Sequence, residues 1–444
     1  MVTQAEDRPT FELEGITYLA EPTMDEFLVE AGFKTPSAQK RAKSALTNAG
    51  FEDYSGILAL SAKEIEDIEG ISAANAKVIF NHALKVKLKG NLVINYEGMV
   101  KREEDFNYLP TGSSSLDEML TYSGGQVGWR SKTMVEFYGE PAMGKTQICY
   151  TAAAMVMASK ERGGWERGVA YIDTEGAFVL DRFKYLARYW GADMEKMKDK
   201  FLYSRADSMD EVELALDEIT KVAKEKDIGI VVIDSIMDAL KSQYPVGGSD
   251  LAKLQPRQKH LKRVLDKLKN MAVLFNMVVF YTNHVRSNIG GQMGTPELGA
   301  QGGAVMGHAS DIRMVLHKAT KAQRKDFGFD DKPAGHVGLK VGRATIVDCG
   351  FLPEGKGFYL IGPMGIADPN SYDQIFKQAT EYKEKGYISL DGMGNELVHL
   401  DPSAKKPKTY IEENQSKIYG AKKEEKKKEE KKSTKTTTKK VSNE

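Results

Sequence analysis

A chain of 444 residues with 41% hydrophobic and 28% charged residues has room for two or three globular domains with buried cores. Its 63 basic and 63 acidic residues cancel, so any nucleic-acid-binding surface must be local, and no apolar run is long enough to span a membrane. The two cysteines, Cys149 and Cys349, cannot form a C-x-x-C metal or redox site and are expected to be buried reduced thiols.

Residues 1–23 show little periodicity and contain Pro9 and Pro22, which predicts a poorly structured arm. The first ten residues have neither a basic nor an apolar stretch, so no secretory signal is expected and the compartment is the cytoplasm, beside the nucleoid, or the nucleus. Residues 24–88 carry apolar residues at helical spacing and form a first, all-α domain. Between its last two helices lies Glu69-Gly70-Ile71-Ser72. Gly70 permits a tight turn and Ser72 can cap the next helix, leaving backbone N–H groups that suit a phosphate. A helix-hairpin-helix grip on DNA and a plain packing module both fit. Residues 89–108 read as a linker carrying a docking strand.

From residue 109 to about 402 strands alternate with helices, the pattern of a mainly parallel sheet covered on both faces. Thr133 to Tyr138 runs as a strand into Gly139-Glu140-Pro141-Ala142-Met143-Gly144-Lys145-Thr146, of the form G-x-x-x-x-G-K-[ST], and Gln147 continues an alanine-rich helix. Glycines let the backbone approach a triphosphate, Lys145 adds a point charge for its β and γ phosphates, and the Thr146 hydroxyl suits Mg²⁺. Further strands end at Asp173, Asp234 and Asn283, and ligands bind at the carboxyl edge of such a sheet. Asp234, after four apolar residues, is expected to hold Mg²⁺ through water opposite Thr146; Glu175 is the candidate for polarising an attacking water. Asn283 and His284 are placed to report a γ phosphate, or simply to end a strand. Residues 403–444 lose apolar periodicity, and the Lys/Glu-rich run from Lys422 to Lys440 predicts a disordered tail.

These segments resemble the archaeal RadA and eukaryotic Rad-type recombinases, the RecA-like strand-exchange ATPases. The resemblance rests on T-G-S-S-S-L-D-E-M-L from Thr111, E-F-Y-G-E-P-A-M-G-K-T-Q from Glu136, Y-I-D-T-E-G-A-F from Tyr171 and V-I-D-S from Val232. It continues through L-F-N-M-V-V-F-Y-T-N-H-V from Leu274, G-G-A-V-M-G-H-A-S from Gly302 and L-P-E-G from Leu352. It implies that Glu175 is the catalytic glutamate and that Arg182 stacks on adenine. By the same resemblance 245–257 and 285–303 are two DNA-binding loops, in which Arg257, Arg286, Gly302 and Gly303 meet the strand. His308 then lies near the nucleotide between protomers, and Asp348 in a segment that caps the neighbour's ATP.

Four features depart from the family pattern. His284 stands where glutamine is usual, Val246-Gly247-Gly248 replaces G-R-G, Gly350 replaces proline, and 321–338 resembles an insertion. The linker lacks a clear F-x-x-A polymerisation motif. Phe80 and Ala83 have that spacing but fit a helix core, and Val93 to Tyr96 is the alternative docking segment, with Tyr96 as anchor. The implied activity is ATP- and Mg²⁺-dependent recombination: a helical filament or ring on single-stranded DNA, pairing with duplex, and release by hydrolysis. A mediator or regulator of the same fold is the alternative.

Overall fold

The first two helices start and stop where their capping residues stand. Thr23 and Glu26 form a reciprocal capping box at α1 (Met24–Ala31), and Thr35 caps α2 (Pro36–Asn48). Each helix ends in the same way. The amide of Phe33 donates to the carbonyl of Leu28, that of Phe51 to Leu46, and both rings are buried in the N-terminal core with Phe27, Leu46, Ile57 and Ile79. The repeated Ala-Gly-Phe is therefore one helix stop used twice. The computed structural model describes residues 10–13, 16–19, 22–87, 95–245, 251–287, 298–327, 340–362 and 364–369.

Helix α3 (Ala62–Glu66) and helix α4 (Ala73–Lys87) flank the predicted hairpin turn. Ser72 accepts the amide of Asn75 at 3.3 Å, Ile71 is buried, and Gly70 and Ser72 are exposed. Ala83 is buried and Phe80 packs on the N-terminal core, as expected for a core-facing pair.

Two expectations need correction. The arm before α1 is not featureless: β1 (Thr10–Leu13) and β2 (Ile16–Leu19) pair as an antiparallel hairpin. Phe-Glu-Leu and Ile-Thr-Tyr-Leu alternate apolar and polar residues, a period too brief to stand out beside the prolines. The linker is not extended around Tyr96 either. Helix α5 (Tyr96–Glu104) begins at Asn95, whose side chain accepts the amide of Gly98 at 2.9 Å, and Glu97 and Lys101/Arg102 match the helix dipole at its two ends. Val93 lies outside the described residues.

The core begins with β3 (Tyr108–Leu109), α6 (Ser114–Met119) and β4 (Trp129–Arg130). Then come β5 (Met134–Gly139), α7 (Lys145–Met157), β6 (Gly168–Asp173), α8 (Leu180–Trp190), α9 (Met194–Met197), β7 (Phe201–Arg205), α10 (Met209–Val222), β8 (Ile228–Asp234) and α11 (Ile236–Gln243). They are followed by α12 (Leu251–Leu274), β9 (Val278–Ser287), β10 (Leu298–Ala300), α13 (Gly303–Ala309), β11 (Ile312–Lys318), α14 (Lys321–Asp326), β12 (Lys340–Cys349), β13 (Gly355–Gly362) and β14 (Gly365–Ala367). The main sheet runs β14-β13-β12-β11-β5-β9-β8-β6-β7, with β10 beside β9. From β11 to β7 every pairing is parallel; from β11 to β14 every pairing is antiparallel.

Strands β5, β6 and β8 are buried along their whole length, which is why they are mostly apolar in the sequence, with Glu136 the buried exception in β5. One face is covered by α7 and α8, the other by α10, α11 and α12. The fold is a RecA-like α/β core preceded by a small helical domain. The N-terminal domain docks on α10 and α12: Ala59 enters the core's own apolar cluster, and buried Lys267 pairs with Glu64 of α3 and Asp217 of α10. The expected tail, 403–444, lies outside the described residues, as does most of 321–338 after α14.

Candidate nucleotide site

The sheet register brings the expected carboxylates and the glycine-rich loop to one edge. Gly139 stands opposite His284, and Asp173 opposite Asp234. At Gly139 an added Cβ would lie 2.3 Å from the carbonyl oxygen of Leu316, so only glycine lets β5 turn there. Gly144 takes a left-handed backbone at φ 92° to start α7, aiming the first amides of that helix into the loop. Lys145 folds back over the loop, donating to the carbonyls of Gly139 at 3.0 Å and Glu140 at 3.2 Å. Burial lowers its ammonium pKa, against the pull of Asp234 and Glu175. A half-buried cation resting on its own loop carbonyls, below a run of helix N-terminal amides, fits an oligophosphate.

Asp234 is fixed from two sides. Its Oδ2 accepts the Tyr171 hydroxyl at 3.0 Å, and its Oδ1 accepts the hydroxyl of Thr282. Each oxygen keeps a lone pair for the hydration shell of a divalent cation, and Thr146 stands in the first turn of α7. Arg182 of α8 donates to Gln147 Oε1 at 2.8 Å and to the carbonyl of Gly362 at 2.9 Å, bracing α7 against the end of β13.

Glu175 sits on a loop wound around Asp173. The carboxylate of Asp173 accepts the amides of Glu175, Gly176, Ala177 and Phe178 and the Tyr203 hydroxyl. Thr174 and Ser235 exchange hydrogen bonds and stitch this loop to the end of β8. His284 Nε2 lies 3.6 Å from Glu175 Oε1, 2.8 Å from Asp238 Oδ2 and 3.2 Å from Ser235 Oγ. Burial, then the charge of Asp234 and a hydrogen bond with Asp238, raise the Glu175 carboxyl above its usual range. The His284 hydrogen bond holds Asp238 well below it.

Asn283 is fully buried. Its amide donates to Glu136 Oε1 at 2.7 Å and to the carbonyl of Gln301 at 2.8 Å, so within this chain its side chain joins β5 to the return of the 285–303 segment. The expected loops are shorter than the sequence suggested. Strand β9 runs on to Ser287 and pairs with β10, and Arg286 lies on that strand, its side chain outside the described residues. Gly302 caps α13 and Gly303 opens it. Arg257 is not in a loop at all: it lies seven residues into α12, beside Pro256, with a buried Nε that has no hydrogen-bond partner among the described residues. Residues 246–250 and 288–297 are outside the described residues.

His308 on α13, Asp348 on β12 and Tyr96 on α5 are all exposed, none of them at the loop. Asp238, Thr282 and Tyr171 were not singled out from the sequence, and Asp173 only as the end of a strand.

The Rad51 family model matches residues 101–333, more than half of the chain. The chain belongs to the Rad51 family. Its sequence is 31% identical over 337 residues to the "DNA repair and recombination protein RadA" of Aeropyrum pernix, covering 75% of this chain and 95% of that one. It is 29% identical over 342 residues to the protein of the same name from Ignicoccus hospitalis, with 75% and 94% covered. Both the glycine-rich loop and the Glu175–His284 cluster fall inside the residues matched by the Rad51 model. Among the described residues no helix is long and apolar enough to cross a membrane.

Proposed function

We propose that this Rad51-family chain is an ATP-dependent DNA recombinase that assembles on single-stranded DNA, pairs it with homologous duplex, and hydrolyses ATP to let go. One observation carries the reading: the phosphate loop, Asp234 and Glu175 converge at the carboxyl edge of a RecA-like sheet, beside the strand whose end leads into 285–303. The relatives' names as DNA repair and recombination proteins support it.

Gly139 to Thr146 would cradle the triphosphate, with Lys145 leaving its loop carbonyls for the β and γ oxygens. Thr146 and Asp234 would hold a hydrated Mg²⁺, which supplies charge neutralisation across the phosphates. Glu175 would take the proton of the attacking water, and Arg182 would flank the base by its planar guanidinium. His308, Asp348 and Tyr96 would act between protomers, and Gly70, Ile71, Ser72, Arg257, Arg286, Gly302 and Gly303 on DNA.

The test is strand exchange between a single strand and homologous duplex, run with ATP and Mg²⁺. Products that require ATP, together with single-strand binding that weakens as salt rises, are expected. Absence of salt-dependent single-strand binding overturns the reading. A family member that hydrolyses ATP and assists exchange without performing it is the second reading. It is favoured by His284, whose side chain is tied to Asp238 at the point where the family usually has glutamine. Short assemblies on DNA, seen by electron microscopy, would distinguish it.

A further inference from the structure

The glycine-rich loop is held from outside at one peptide. Strands β12 and β13 run side by side, with Gly342 directly opposite Tyr359. A Cβ at Gly342 would lie 2.3 Å from Cζ of the Tyr359 ring and 2.6 Å from its hydroxyl, so the tip of the ring fills the space over a strand position that only glycine can take. Tyr359 is fully buried, and its hydroxyl donates to the carbonyl of Met143 at 2.7 Å. Two residues on, and on the same face of β13, Ile361 stands against the next residue of the loop: a Cβ at Gly144 would meet its Cδ1 at 2.7 Å. One strand thus grips the Met143–Gly144 peptide at its carbonyl and at the α-carbon that follows.

What the grip achieves follows from peptide geometry. The bond is trans, so its carbonyl and its N–H point in opposite directions. A carbonyl drawn to Tyr359 therefore turns the Gly144 amide away from β13. The loop does not secure this orientation by itself. Its backbone is left-handed at Ala142, with φ 59°, and at Gly144, with φ 92°, and Gly144 has no side chain to resist rotation of the peptide that precedes it. Turned the other way, that peptide would present a carbonyl oxygen where a phosphate oxygen needs a donor. Burial pushes the pKa of the Tyr359 phenol up, so the hydroxyl keeps the proton it donates.

Resting on the reading of Gly139–Thr146 as a triphosphate cradle, we propose that Tyr359 is a positioning residue for nucleotide, which sets the Met143–Gly144 peptide with its N–H toward the phosphates before any ligand arrives. Buried behind the loop, it acts on nucleotide only through this backbone. Loop amides of this kind cradle the α and β phosphates, so ATP and ADP depend on it alike.

Tyr359→Phe keeps the ring and removes the hydroxyl alone. In the full chain with Mg²⁺, its dissociation constants for ATP and for ADP should both rise about fivefold, the worth of one hydrogen bond. The rate of hydrolysis at saturating ATP should stay within about twofold, because the contact is lost equally from the ground and transition states. Unchanged dissociation constants overturn the proposal, whatever happens to the melting temperature. A second measurement reads the peptide directly and needs no nucleotide. With ¹³C at methionine carbonyls and ¹⁵N at glycine, the Met143–Gly144 signal is assigned by its loss in Met143→Leu. In Tyr359→Phe the Met143 carbonyl resonance should move upfield, as that of an acceptor deprived of its donor does. A loss of affinity with that resonance unmoved is contrary, since it would come from general loosening. If Tyr359→Phe does not fold, Gly342→Ala presses on the ring from its far side and must move the same resonance and weaken ATP binding; no change in either overturns the proposal. A parent chain that binds no nucleotide would remove the cradle reading, while the carbonyl resonance would still decide whether Tyr359 holds the peptide.

Discussion

At the scale of single residues the site separates binding from chemistry. Lys145 rests on its own loop carbonyls, so Lys145→Ala removes the side-chain ammonium held at the loop and should abolish nucleotide binding in a fluorescent-ATP titration. Glu175→Gln leaves the loop intact and should bind ATP within a few-fold while hydrolysis falls about 10²-fold, the usual worth of a positioned base. Equal loss of binding in both variants would contradict the division. The sign of the pH dependence follows from the raised Glu175 carboxyl. As pH falls, Glu175 takes its proton before an ordinary glutamate would, so hydrolysis should decline at a higher pH than that of a free carboxylate. The same shift means that Glu175 binds its proton more tightly folded than unfolded, so its ionisation costs stability once pH rises past its ordinary value. Glu175→Gln should therefore melt at a higher temperature than the parent at neutral pH, and at the same temperature in acid below the ordinary carboxyl range.

At the scale of elements, the strand ends are bound together beneath the site by charge. Glu136 on β5 is fully buried and accepts Arg313 Nε from β11 at 2.6 Å and Asn283 from β9 at 2.7 Å. Arg313→Ala would leave that carboxylate buried without its cation, and a loss of about 3–5 kcal/mol in denaturant unfolding is expected. Helix α5 has a smaller dependence: Asn95→Ala removes its cap and should cost about 1 kcal/mol of local helix stability, visible as faster amide exchange over Tyr96–Glu104. The elements differ in how plainly the sequence announces them. Strands β6 and β8 were legible as apolar runs ending in Asp173 and Asp234, because burial on both faces leaves little room for polar residues, and β5 was legible despite Glu136 because it runs into the glycine-rich loop. The cap at Asn95 was legible in principle, but the charged residues after it carry no buried face, so apolar periodicity was silent there. The β1–β2 hairpin had four residues a side, too few for alternation to outweigh the prolines. Arg257 was assigned to a loop by the family resemblance, whereas it lies on α12, which accommodates Pro256 near its start. Within the site, the glycine-rich loop, Asp234 and Glu175 were legible from spacing, and Asp173 as a strand end. The contacts of Asp238 and Asp173 were not, because they arise from the sheet register and from a turn that closes on itself.

At the scale of the molecule, two surfaces carry predictions. Helix α5 leaves Tyr96, Met99 and Val100 exposed at 80%, 58% and 40%, an apolar stripe along one side of a nine-residue helix. If that stripe meets a second copy, Tyr96→Ala should lower the mass of assemblies formed with ATP and single-stranded DNA in light scattering; an unchanged mass would exclude Tyr96 as an anchor. The second surface is internal. Lys267 is buried where the N-terminal domain meets α10 and α12; desolvation lowers its pKa, but Asp217 and Glu64 outweigh that and hold it raised. Lys267→Ala leaves two carboxylates facing each other, each about a third exposed, and should lower unfolding stability by about 1–3 kcal/mol.

Helix α12 joins these regions. It begins just after residues 246–250, and sixteen residues further on it presents Lys267 to the N-terminal domain, a span of about 24 Å at helical rise. A helix of this length, buried along Leu261, Val264, Leu265 and Leu268, acts as a rigid spacer. If the hairpin turn at Gly70 and the stem of the first candidate loop both meet a nucleic acid, they would do so not as two independent tethers but as two points of a caliper, whose opening is set by the protein before any strand arrives.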